Sequence, residues 1–241
     1  DANGSFELTK TLAMGENYRV PGGVLQGARV LSNKNVQVHI ITGDVGSSYE
    51  SRWFTLFPTA NWGNAYYSPV STTNVNAKAV VFLYNPGASA ISITATTQSG
   101  NTVISVPANG TARYVMPQNT GAVFASTGAP FFAVTTIDSD NSDSGNQTHD
   151  WGMTLLPESY LSQSITVGWG PGSSDLSANG SPVWVMARIA TTIYVDLDGD
   201  PLTGPLTDPN GQKYNYTVSL TPYQSYRIYD TDKDQTGMRV Y

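Results

Sequence analysis

Short runs of alternating apolar and polar residues recur along this chain. In Ser5-Phe6-Glu7-Leu8-Thr9-Lys10-Thr11-Leu12, Phe6, Leu8 and Leu12 fall on one face of an extended segment, with Glu7, Thr9 and Thr11 on the other. The pattern predicts further strands at Ala28-Arg29-Val30-Leu31 and at Val36-Gln37-Val38-His39-Ile40-Ile41. More follow at Trp53-Phe54-Thr55-Leu56-Phe57, Tyr66-Tyr67-Ser68, Ala79-Val80-Val81-Phe82-Leu83-Tyr84 and Ile91-Ser92-Ile93-Thr94-Ala95-Thr96. Others are Thr102-Val103-Ile104-Ser105-Val106, Thr111-Ala112-Arg113-Tyr114-Val115, Ala122-Val123-Phe124 and Phe131-Phe132-Ala133-Val134-Thr135. Turn residues separate them at close spacing, and no segment holds a helical period over ten residues. This combination predicts an all-β fold of antiparallel sandwiches.

The order of segments repeats. Trp53-Phe54-Thr55-Leu56-Phe57-Pro58 returns as Trp151-Gly152-Met153-Thr154-Leu155-Leu156-Pro157, and Ala79-Val80-Val81-Phe82 as Pro182-Val183-Trp184-Val185. Ile91-Ser92-Ile93-Thr94 returns as Thr192-Ile193-Tyr194-Val195. Asn109-Gly110-Thr111-Ala112-Arg113-Tyr114 matches Tyr223-Gln224-Ser225-Tyr226-Arg227-Ile228, and Thr120-Gly121-Ala122-Val123-Phe124 matches Thr236-Gly237-Met238-Arg239-Val240. A shared order of individually weak matches predicts two tandem sandwich domains, 24–137 and 138–241, after an extension at 1–23. The first repeat ends with one more strand, at Phe131, while the second stops at the equivalent of the Val123 strand. The second sandwich is therefore expected to be one strand short. Residues beyond Tyr241, the same chain's N-terminal strand, or a strand of another copy would fill the place. The Phe6, Leu8, Leu12 segment is the predicted donor, and donation between copies would make a homopolymer.

Composition narrows the setting. Only 12% of the residues are charged and 11% are aromatic, and Ser, Thr, Asn and Gly fill the polar positions, as in secreted β-proteins. A net charge of −6 with no Lys/Arg stripe argues against nucleic acid as a partner. With no cysteine, disulfides, thiolate chemistry and Cys-based zinc sites are excluded, so a secreted chain needs another staple. The longest apolar run, Ala79-Val80-Val81-Phe82-Leu83-Tyr84, is far short of the roughly 20 residues of a membrane-spanning helix.

Most of the acidic residues crowd into three loops of the second half: Asp138, Asp140 and Asp143; Asp196, Asp198, Asp200 and Asp208; and Asp230, Asp232 and Asp234. Clustered carboxylates repel one another unless a hard, oxygen-seeking cation joins them. Calcium takes about 6–8 oxygens in irregular cages, which makes it the expected ion. Asp196, Asp198 and Asp200 match the first ligands of an EF-hand loop. Pro201 stands where that loop needs glycine and Thr207 where it needs glutamate, so an irregular inter-strand loop is expected, completed by Asp208 and Asn210. The competing reading is a set of turns whose Asp side chains bond their own backbone. The matching turn in the first repeat, Thr97-Gln98-Ser99-Gly100-Asn101, has no carboxylate.

Catalytic signals are weak. His149-Asp150 has one other histidine, His39, to work with, and no triad can be assembled. Trp62, Tyr66 and Tyr67 suggest a sugar-stacking platform, the alternative being core packing.

Val81-Phe82-Leu83-Tyr84-Asn85-Pro86, Val106-Pro107-Ala108-Asn109-Gly110-Thr111, Thr148-His149-Asp150-Trp151-Gly152 and the stretch 230–240 resemble β-sandwich modules of large secreted bacterial surface proteins. Those modules are similar to the amino-terminal region of IgG-Fc-binding-type proteins. The resemblance implies an extracellular, non-enzymatic module beside other adhesive domains, with chain continuing past Tyr241 into another strand. Fc binding does not carry over, because no residue here can be tied to it. The expectation is a calcium-stabilised structural or adhesive surface protein, a filament subunit joined by strand complementation. The alternative is a carbohydrate-binding module.

Overall fold

The computed structural model describes residues 6–42, 52–72, 78–137, 151–172 and 181–241. The fold is all-β, built of antiparallel sheets. The first sandwich faces the sheet β3(Ala65–Ser68)–β8(Ala122–Ser126)–β5(Ile91–Thr97)–β6(Gly100–Val106) against the sheet β10(Gly152–Thr154)–β9(Phe132–Ile137)–β4(Ala79–Asn85)–β7(Gly110–Val115). Inward residues of both sheets, among them Tyr66, Val81, Leu83, Ile93, Ala95 and Phe124, form a closed core. Asn85 sits buried at the end of β4, where a bare amide would be costly. Its Nδ2 donates to the carbonyls of Ser89 and Pro107, and its Oδ1 accepts from the Gly87 N–H, so one side chain ties two turns together.

The second sandwich repeats this plan in reduced form. The sheet β11(Ile165–Thr166)–β18(Arg239–Val240)–β13(Thr191–Asp196)–β16(Tyr216–Leu220) has the order of β3–β8–β5–β6. The pair β12(Val183–Val185)–β17(Tyr226–Ile228) stands for β4–β7. Backbone detail repeats too. Pro58 and Pro157 each precede one 3₁₀ turn, Thr59–Asn61 and Glu158–Tyr160. Asn109 and Tyr223 occupy the same turn with φ of 47° and 60°. Pairing moves two of the sequence correspondences by one residue. Phe82 faces Arg113 as Trp184 faces Arg227, and Ile91 faces Val106 as Thr191 faces Leu220.

Two further corrections concern boundaries. β10 lies after residue 138 yet pairs with β9, and Leu155 is buried in the first core. Pro157 bridges to Tyr66. The first sandwich thus extends to Pro157, past the expected break. At the other end, Phe6, Leu8 and Leu12 are exposed and belong to no strand. The first strand is β1(His39–Thr42), paired with β2(Arg52–Thr55), which packs on β10. Gly152 makes that approach possible, since a Cβ there would stand 2.7 Å from the Phe54 ring.

A small hairpin, β14(Leu206–Thr207) with β15(Lys213–Tyr214), is inserted between β13 and β16, where the first sandwich has only the tight β5–β6 turn. The sandwiches meet at the Tyr223 turn. The Tyr223 carbonyl accepts from Gly121 N–H at 2.8 Å, Ser225 Oγ donates to the Pro69 carbonyl, and Gln98 Nε2 donates to Thr221 Oγ1. No helix among the described residues is long and apolar enough to cross a membrane.

Candidate functional site

The inserted hairpin carries one acidic loop and the β17–β18 connection carries another. Gly199 lets them touch: its φ is +69°, and a Cβ would stand only 2.1 Å from the Gly237 carbonyl oxygen. Between the loops opens a cleft lined by Leu197, Asp198, Asn215, Asp230, Asp232, Asp234 and Thr236. Two loops that the sequence treats as separate therefore share one site. Asn215, whose Oδ1 accepts from Leu197 N–H at 2.7 Å, is a member that sequence reasoning missed. Its one signal was position: it ends the insertion that the repeat comparison exposes.

The carboxylates are largely engaged with their own backbone. Asp198 accepts from Asp200 N–H and Thr203 Oγ1–H, and Asp200 from Leu202 N–H. Asp230 accepts from Thr231 N–H, Asp232 from Asp234 N–H, and Asp234 from Thr236 N–H. The bonds of Asp198, Asp200, Asp232 and Asp234 to the N–H two residues on make turns of the Asx kind. They also shift protonation. The Thr203 hydroxyl and the Asp200 N–H hold Asp198 below the ordinary carboxylate range. The N–H and hydroxyl of Thr236 do the same for Asp234.

Asp196 differs. It is fully buried at the end of β13; Oδ1 accepts from Gly199 N–H at 3.2 Å, while Oδ2 has no partner. Burial first, and then the neighbouring Asp198, push its carboxyl above the usual range. Gln235 lies buried on the facing loop, its Oε1 accepting from Asp230 N–H. The carboxylates of the cleft, with the side-chain oxygens of Asn215 and Thr236, suit a hard cation; Asp196, with its unpartnered Oδ2, lies outside the cleft lining. Among the described residues, no three acidic side chains converge closely enough to hold a metal as they stand.

The other predicted members lie elsewhere. Asp200 is exposed and outside the cleft lining. Asp208 caps the β14–β15 hairpin by accepting from Asn210 and Gln212 N–H, so Asp208 and Asn210 form a turn of their own. Asp138, Asp140 and Asp143 lie outside the described residues.

No family model, curated protein or solved structure matches the chain. Its chemistry has to be read from its own side chains.

The aromatic trio does not form a platform. Tyr66 is buried in the first core; its hydroxyl donates to the Phe131 carbonyl at 2.6 Å and accepts from Gly63 N–H. It has no face to offer a sugar. Trp62 is half-buried, stacked on Phe132 at 5.1 Å, with its indole N–H on the Phe57 carbonyl. Tyr67 donates to Glu158 Oε1 at 2.8 Å; burial, followed by that carboxylate, raises its hydroxyl pKa.

Proposed function

We propose that the chain is a structural or adhesive module of an extracellular surface protein, its units joined through strands and its second sandwich stiffened by calcium. The observation that carries the reading is the closure of one unit by its neighbour. β10, Leu155 and Pro157 belong by sequence to the second repeat yet complete the first sandwich. Units that close one another in series suit an extended, load-bearing arrangement better than a catalyst that needs one rigid pocket. The resemblance to modules of large bacterial surface proteins points the same way. Calcium suits the oxygen-bearing side chains of the cleft, and the unpartnered Asp196 Oδ2 lies on the same loop as Asp198. Asp196 and Asp198 from one loop and Asp230, Asp232 and Asp234 from the other would hold it, drawing the two loops together.

The test is calorimetric. Millimolar calcium raises the melting temperature of the second sandwich, and a chelator reverses the rise. A melting curve unmoved by either sinks the calcium assignment. Electron microscopy of concentrated protein reads the structural assignment separately, by filaments or their absence.

A further inference from the structure

Two parts of the fold, β12 and the hairpin β1–β2, are complementary. Among the described residues, β12 pairs only with β17. In the first sandwich the same edge of β4 is taken by β9. Lacking that strand, Val183 and Val185 are only half-buried, while their counterparts Val81 and Leu83 have 0% exposure. Ile165, the counterpart of fully buried Tyr66, is 52% exposed.

The reverse holds near β1, which lies in a two-stranded sheet of its own. The hairpin β1–β2 repeats β9–β10 residue for residue. His39, Ile40 and Ile41 face Thr55, Phe54 and Trp53, as Val134, Thr135 and Thr136 face Thr154, Met153 and Gly152. Even the next bond repeats: Leu56 N–H donates to the Val38 carbonyl at 3.0 Å, and Leu155 N–H to the Ala133 carbonyl at 3.0 Å. The sequence before β1 repeats as well. Gly27-Ala28-Arg29-Val30 follows the pattern of Gly237-Met238-Arg239-Val240. Gln26 Nε2 bonds the Asn109 carbonyl as Thr120 Oγ1 bonds the Tyr223 carbonyl. Residues 26–42 are thus laid out like the end of a preceding unit, and Val30, Leu31 and Val36 are left exposed.

We infer that β1 of one copy fills the open place beside β12 of a second copy, joining copies head to tail. This rests on the structural reading above and adds the donor, the acceptor and the register. Transferring the β4–β9 pairing sets Ile40 opposite Val183, His39 opposite Trp184 and Val38 opposite Val185. The pattern Val36-Gln37-Val38-His39-Ile40 then fits, because Val36, Val38 and Ile40 take the inward places of buried Phe131, Ala133 and Thr135. Leu56 would enter the second core as Leu155 enters the first, and Pro58 would meet Ile165 as Pro157 meets Tyr66. The packing of β2 on β10, already present within one copy, would recur across the join. The contact is heterologous and does not close on itself, so it propagates.

The chain has no cysteine of its own, so introduced thiols report the register cleanly. Separately purified Val38→Cys and Val185→Cys chains are mixed under mild oxidation, beside a mixture of Leu8→Cys with Val185→Cys. The expected result is a mixed disulfide in the first mixture only, because opposed strand residues lie within bridging distance. Should Val185→Cys fail to fold, Ile40→Cys with Val183→Cys reads the same register. A Leu8–Val185 disulfide, or association with neither, overturns the donor assignment while leaving self-joining intact. A chain that stays monomeric at millimolar concentration, with no disulfide, overturns the strand exchange altogether; the calcium test is unaffected. Independently, Ile40→Lys weakens association by about tenfold or more, while at dilutions where the chain is monomeric both melting transitions stay in place, since Ile40 belongs to neither core of its own chain. Unchanged association overturns the proposal.

Discussion

A carboxylate buried with half its acceptor capacity unmet is a cost that other features of the fold have to offset, and Asp196 is such a group. Its folded pKa lies above the unfolded value of about 3.9. A raised carboxyl pKa stabilises the fold fully below the unfolded value and less as pH rises through the folded one. In chelator, Asp196→Asn is therefore near neutral at pH 4 and raises the second sandwich's melting temperature progressively toward pH 7. Adding calcium reverses the ranking, because only the wild type gains from the ion. Melting curves at several pH values, with and without calcium, check both halves; a variant less stable at pH 7 in chelator refutes the account. The spacing Asp196, Asp198, Asp200 was legible in the sequence. Which of them line the cleft was not, because Asp198, Asp232 and Asp234 make the same bond to the N–H two residues on as Asp200 and Asp208 do. Tyr66 misled for the opposite reason: its hydroxyl is satisfied by Phe131, across the sandwich, and no local pattern encodes that.

At the level of elements, the strand pairings move the sequence correspondences by one residue at β12 and β13. Register is fixed when one face of a strand is clearly apolar. Val183-Trp184-Val185 is apolar on both faces and offers no such guide, so only the pairing of Trp184 with Arg227 decides it. Alternation at Phe6, Leu8 and Leu12 predicted a strand, but alternation needs an adjacent edge to pair with. β1 has one, in β2. The turns were more reliable. Asn109 holds a left-handed φ of 47° while its side chain is exposed, so its role is conformational. Asn109→Gly leaves the first sandwich's stability within about 0.5 kcal/mol, whereas Asn109→Val lowers it by about 1–2 kcal/mol. Denaturant titration separates them; equal effects of the two variants would dismiss the turn argument.

The whole molecule is unequal in its halves. The first core encloses buried residues from six strands, while the second is smaller and its residues Val183, Val185 and Ile193 are only half-covered. Buried apolar area sets the driving force. The chain is expected to melt in two steps, second sandwich first, with slower amide exchange in β4, β5 and β8 than in β13, β16 and β18. One cooperative step with uniform exchange would show that the Tyr223 contact couples the halves completely. The placement of Leu155 and Pro157 also bears on synthesis. The first sandwich lacks its closing side chains until the ribosome has made the opening of the second repeat. Folding along such a chain advances as a ratchet, in which each newly made strand pair locks the unit behind it and leaves its own unit waiting.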